Sequence, residues 1–115
     1  MTELKKAQKE VDDWVSQFGY FDEMTNLSNL TEEVGEVARL IGREYGQQSF
    51  KKGTQPVDIK AAIADELTDV LFIVICLANQ IEIDLGDAFN KNMDKKRNRD
   101  LERHLNNEKL TKEVV

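Results

Sequence analysis

Four stretches of the chain repeat apolar residues at steps of three and four, the spacing that lays a single stripe along an α-helix. Leu4, Ala7, Val11, Trp14, Val15 and Phe18 form the first, which should end near Gly19. A short connector, Gly19 to Thr25, precedes the second, in which Leu27, Leu30, Val34, Val37, Ala38 and Ile41 keep the period as far as Tyr45-Gly46. Residues 46 to 56 collect two Gly, the only Pro, Gln residues and the Lys51-Lys52 pair, a composition that predicts a mobile loop. The third helix should begin at Val57 or Asp58 and run to about Gln80. Its second half, Val70 to Ala78, is apolar on nearly every side, so we expect a central helix that is buried several times over and contributes to a subunit interface. Ile83 to Gly86 makes a tight connection into a fourth helix that carries Leu85, Ala88, Phe89 and Met93 and turns basic at Lys95-Lys96-Arg97-Asn98-Arg99. Beyond Asp100 part of the chain can be helical, but no stripe is strong enough to dock it, which divides the chain into a domain over 1–100 and a polar tail, fraying by default, over 101–115.

Composition narrows this picture without changing it. In 115 residues, 40% are hydrophobic and 33% charged, with one Pro and six Gly, which favours one all-α domain with room for a partner subunit. The net charge of -6 repels a phosphate backbone and makes nucleic acid a poor partner. The lone Cys76, flanked by Ile75 and Leu77, excludes an intrachain disulfide and reads as a buried apolar residue. The amino terminus has no apolar secretory core, and no apolar run approaches a membrane span, so a cytoplasmic location with no membrane contact is expected.

The chemistry lies in two acidic signatures, Glu32-Glu33-Val34-Gly35-Glu36 and Glu66-Leu67-Thr68-Asp69. Each places two carboxylates three residues apart, on one face of a helix, so two facing helices would surround a point with anionic oxygens. The first signature has a plainer alternative reading. Asn29 and Glu32 have capping-box spacing, and acids in an opening turn suit the helix dipole. The second resists that reading, because Glu66 and Asp69 fall well inside the third helix with no basic residue following them there. Buried carboxylates without a partner are costly, and Mg2+ prefers oxygen donors together with substrate phosphates. The single His104 lies in the polar tail, which leaves neither a histidine-carboxylate di-iron motif nor a His-based triad.

Leu30-Thr31-Glu32-Glu33-Val34-Gly35-Glu36-Val37-Ala38 and Glu66-Leu67-Thr68-Asp69-Val70-Leu71-Phe72 resemble the two signatures of MazG-type nucleotide pyrophosphohydrolases, and the likeness spans residues 5 to 99. The resemblance implies a four-helix bundle assembled as a homodimer or homotetramer, with helices packed across subunits. It further implies hydrolysis of nucleoside or deoxynucleoside triphosphates to the monophosphate and pyrophosphate, with Mg2+ as cofactor and Mn2+ as a substitute. Carried over by position, Glu33, Glu36, Glu66 and Asp69 become the metal ligands, Glu32 orients or deprotonates the attacking water, and Asp65 is left as a surface acid.

Substrate contacts are expected from Gln8 to base or ribose, and from Trp14 by stacking on a base, although Trp14 also lies on the apolar stripe and fits core packing better. Lys51, Lys52, Lys95, Lys96, Arg97 and Arg99 are candidates for the phosphates, with Arg43 and Tyr45 further possibilities near the end of the second helix. Many relatives carry a Lys before the Met of the fourth helix and an Asn a few residues later, whereas here Asn92 precedes Met93 and Lys96 stands near the Asn position. That departure keeps open a non-catalytic helical oligomer that binds nucleotide or a protein partner.

Overall fold

A computed structural model describes residues 1–110, and within them the chain is all-helical. The helices are α1 (Glu3–Val15), α2 (Glu23–Tyr45), α3 (Ile59–Gln80), α4 (Leu85–Arg99) and a short α5 (Leu101–Leu105). Four long helices match the expectation, and their boundaries are explained by caps. Thr2, Asp22, Asp58 and Asp84 each accept a hydrogen bond from a backbone N–H three residues on, which satisfies a donor left free in the first turn. The Thr25 amide, bonded to Asp22 at 2.7 Å, holds the Asp22 carboxyl below the usual carboxylate range.

Three expectations are corrected here. The first helix ends at Val15 rather than Phe18: Ser16 to Phe18 form turns, and Gly19, at φ 101°, takes the left-handed conformation open to glycine. The connector to α2 ends at Asp22, so Asn29 lies inside α2 and caps nothing. Past Asp100 the chain forms α5, one short turn packed on α4, where fraying was expected; residues 111–115 of the predicted tail lie outside the described residues.

α2 and α3 form an antiparallel pair, with Asn26 bonded to Gln80 at one end and Glu33 meeting Glu66 further along. α1 lies on α3, and α4 packs mainly on α1, so the bundle is open within one chain. The core is correspondingly thin. Its buried apolar residues are Val15, Leu40, Ile73, Ile75, Cys76 and Ala78, four of them from α3, which is the central helix anticipated.

Buried amides fasten this small core. Gln8, only 5% exposed, donates from Nε2 to Asn79 Oδ1 (3.0 Å) and to the Ile83 carbonyl (2.8 Å), while its Oε1 accepts from the Leu85 amide (2.8 Å). Asn79 Nδ2 donates in turn to the Gln8 carbonyl and to the Tyr20 hydroxyl, both at 3.0 Å, and Tyr20 donates to Asp12 at 2.8 Å. Burial and the Asp12 carboxylate push the Tyr20 phenol up to about 12, so it remains a donor throughout the physiological range. Gly86 completes the α1–α4 contact, because a Cβ there would collide with the Thr2 side chain that caps α1.

Removing the Gln8 amide leaves the Ile83 carbonyl and the Leu85 N–H unpaired in a half-buried turn, which costs about 1–3 kcal/mol. We therefore expect Gln8→Ala to lower stability by that amount in chemical denaturation, and Glu10→Ala, on the exposed face of the same helix, to stay within about 0.5 kcal/mol of wild type. Equal effects of the two substitutions would count against the amide as a fastener.

Candidate metal centre and its adjoining cavity

The α2–α3 pairing brings the two acidic signatures together. Glu33, Glu66 and Asp69 each present a carboxylate oxygen, and the three oxygens lie within 4.8 Å of one another. Glu32, Glu33 and Glu36 occupy the tenth to fourteenth positions of the 23-residue α2, too far from its start for the dipole or a cap to account for them. Glu66 and Asp69 are two turns or more into α3. At 4.8 Å, two unit charges repel by roughly 1 kcal/mol in water and 3.5 kcal/mol at an effective dielectric constant of 20.

The repulsion is answered by a tighter hold on the proton at Glu66. Partial burial raises the Glu66 carboxyl above its ordinary range, aided by a hydrogen bond with Glu33 and by the charges of Glu33, Asp69 and Glu36. No lysine or arginine is bonded to Glu33, Glu66 or Asp69 among the described residues. An all-oxygen donor set, strained by like charge and without cysteine or histidine, fits a hard divalent cation. Glu36, the fourth expected ligand, stands beside this group but outside it, its Oε2 accepting a hydrogen bond from Arg39 Nε at 3.3 Å.

Beside the carboxylates lies a cavity of about 370 Å³. Glu32, Glu33 and Asp69 form one wall, Trp14, Phe18, Phe21 and Phe72 the apolar walls, and Asn26 and Asn29 contribute amides. Trp14 is 56% exposed and meets Phe18 and Phe72 edge-on, with centroids 4.9 and 6.0 Å away, so its expected place in the core is corrected: it is a wall of the cavity. The sequence pattern misassigned it because a stripe marks the apolar face of α1 but not how fully the neighbouring helices cover it. Phe18, Phe21, Phe72 and Asn29 were not proposed as site residues from the sequence; the Ser16–Asp22 connector brings Phe18 and Phe21 to the same cavity as Phe72 of α3 and Asn29 of α2. Cys76 closes the floor, buried as expected, and that burial raises its thiol.

Other candidates fall elsewhere. Gln8 is bonded to Asn79, ten residues and about 15 Å along α3 from Asp69. Both ends of its amide are consumed by the fold. Lys51 and Lys52 are exposed on the 46–58 connection. On α4, Arg97 pairs with Asp94 (3.1 Å), Arg99 with Asp100 (3.2 Å) and Lys96 with Asn92, while Lys95 is exposed on the same helix. No helix among the described residues is long and apolar enough to cross a membrane.

The model of the MazG nucleotide pyrophosphohydrolase domain matches residues 21–104. An uncharacterised protein of Bacillus subtilis (strain 168), YpjD, is 41% identical over 102 residues, covering 87% of this chain and 88% of its own. Two crystal structures share the fold. The Bacillus-conserved MazG protein, described as a nucleotide pyrophosphohydrolase, superposes with a TM-score of 0.70 at 39% identity, over 89% of this chain and 97% of that one. YpjD from Bacillus subtilis gives 0.71 at 37% identity, over 83% and 95%.

A carboxyl that binds its proton more tightly in the folded state weakens folding as pH rises from its ordinary value through its raised one. In the absence of divalent ions, the melting temperature of wild type relative to Glu66→Gln should therefore fall as pH is raised above 4.5. Mg2+ should restore wild type and do much less for the variant. Parallel profiles for the two proteins would rule out a proton shared at this site.

Proposed function

Because the chain belongs to the MazG nucleotide pyrophosphohydrolase family, hydrolases that act on phosphoanhydride bonds, we propose that it cleaves nucleoside or deoxynucleoside triphosphates to the monophosphate and pyrophosphate with Mg2+. The observation that carries this reading is the convergence of Glu33, Glu66 and Asp69, with Glu33 and Asp69 also lining an aromatic-walled cavity. Such an arrangement suits a ligand with a flat apolar end and a polyanionic end.

In this reading Glu33, Glu66 and Asp69, joined by Glu36, hold the cation. Mg2+ bound there neutralises triphosphate charge and supplies an acidified water, and Mn2+ is the expected substitute. Trp14, Phe18 and Phe72 enclose the base and limit its rotation, which keeps the phosphates aimed at the carboxylates. Glu32, exposed on the cavity wall, is positioned to orient the attacking water and take its proton as the oxygen adds to the α-phosphorus. The leaving pyrophosphate carries several negative charges and needs cations beyond the carboxylate centre.

The reading also includes a second copy of the chain. A 13.2 kDa monomer is expected to expose about 6,400 Å², whereas this chain exposes 9310 Å². Its radius of gyration, 17.8 Å, likewise exceeds the ~13 Å of a compact domain of this size. The uncovered surface is apolar and patterned: Leu27, Val34 and Ile41 recur every seven residues along α2, beside Leu67 and Leu71 of α3, and all five are exposed. A helix pair with that seam and that excess area fits self-association as a homodimer or homotetramer.

Two measurements test these statements. A screen of common and modified triphosphates with Mg2+ should release pyrophosphate, without orthophosphate, from at least one of them. Chelation should abolish the release, and Glu36→Gln or Asp69→Asn should reduce kcat by about 100-fold or more, on the scale of ~3 kcal/mol of transition-state stabilisation. Nucleotide binding without turnover would instead support the non-catalytic oligomer. Light scattering should give a multiple of 13.2 kDa, and Leu27→Glu with Ile41→Glu should dissociate or unfold the protein; a wild-type monomer would end the self-association reading.

A further inference from the structure

We propose that Arg39 is a binding residue for the terminal phosphates of the substrate, held in reserve on Glu36 until the metal centre claims that carboxylate. The inference rests on the nucleotide-hydrolysis reading above and adds to it the direction in which the substrate lies. Among the basic residues whose ion pairs are resolved, Arg39 alone is bonded to a member of the acidic signatures. The paired cations of α4 are bound to neighbours on their own segment, and α4 packs mainly on α1 rather than on α2.

Position along α2 supplies the second line of argument. Asn26 and Asn29 line the cavity, Glu32 and Glu33 stand at its mouth, Glu36 follows, and then Arg39 and Arg43. Glu32, Glu36, Arg39 and Arg43 are spaced four, three and four residues apart, within about 60° around the helix. Arg39 lies about 4.5 Å along the axis from Glu36, and Arg43 about 6 Å beyond that. Arg43 is tied into the stripe, its Nη1 donating to the Arg39 carbonyl at 3.4 Å. Along the axis of α2 the order is therefore apolar cavity, carboxylate centre, arginines, with Glu36 about 60° from both Glu33 and Arg39 around the helix. A nucleotide with its base among Trp14, Phe18 and Phe72 and its first phosphate at the carboxylates has its remaining phosphates over Arg39.

Charge exchange explains why the residue is poised rather than simply paired. Only Nε of Arg39 engages Glu36, at 3.3 Å, and neither terminal nitrogen of the guanidinium is bonded to a side chain or carbonyl among the described residues. Both partners are about half exposed, so the pair is screened and its loss costs little folding stability. When a cation draws Glu36 toward Glu33, Glu66 and Asp69, Arg39 loses its anion beside a new positive charge. A phosphate accepts the guanidinium fork through two oxygens, whereas lysine offers a point charge.

The test uses Arg39→Ala, Arg39→Lys and, as a control far from the centre, Arg103→Ala. Calorimetric titration with inorganic pyrophosphate in Mg2+ should show at least a tenfold loss of affinity for Arg39→Ala, partial recovery in Arg39→Lys and no change in Arg103→Ala. Titration with Mn2+ alone should show that Arg39→Ala binds the metal as well as wild type or better, since Glu36 is released. Melting temperatures of all three should stay near wild type. Unchanged pyrophosphate affinity in Arg39→Ala overturns the inference, as does a parallel loss of Mn2+ affinity, which would make Arg39 a positioning residue for Glu36. A wild-type protein that binds pyrophosphate through Arg39 but hydrolyses no triphosphate would overturn the hydrolytic reading instead.

Discussion

Glu33, Glu66 and Asp69 are held by two packed helices at a separation where ionised carboxylates repel one another, and much of the rest of the chain can be understood from that constraint. Repulsion of this size would splay an isolated pair of helices. It is tolerated because α2 and α3 are joined along their length by apolar contact and at one end by the Asn26–Gln80 amide bond. The raised Glu66 carboxyl is the internal response to the repulsion, and a bound cation, as proposed above, would be an external one. The same constraint sets Glu36 apart: with three carboxylates already crowded, the fourth turns to Arg39.

The supports of this site lie outside an ordinary hydrophobic core. Six buried apolar residues among the 110 described are few, and buried amides take over part of the work of locating elements. Gln8 is the plainest case. Its satisfied amide costs little to bury and fixes α1 against the α3–α4 turn with a directionality that apolar packing lacks. The apolar area left open on α2 and α3 is the complement of that economy, and it lies on the same two helices that carry the carboxylates.

The periodicity located four long helices, and the spacing of the signatures located Glu33, Glu66 and Asp69. Both are local properties: a helix repeats every 3.6 residues whatever it packs against, and carboxylates three apart share a face wherever that helix lies. Trp14 and Gln8 were misjudged for the opposite reason. An apolar stripe says that a face is covered, not how far the covering helix extends, so Trp14 looked like core and is a cavity wall. A polar residue among apolar neighbours looks available for a ligand until its partners, some seventy residues away, are seen to have taken both ends of its amide.

The sequence by itself determined the helical class, the caps that start the four long helices and the acidic donor set, because propensity, capping and period act within a few residues. Tertiary structure alone decided which carboxylates converge, that Glu36 is held by Arg39 at their edge, and that five aromatic side chains from α1, α3 and the α1–α2 connector line one cavity beside them. Those outcomes depend on the register of α2 against α3 and on where α1 ends over them. Both are set by packing between residues distant in the chain, and no local pattern encodes them.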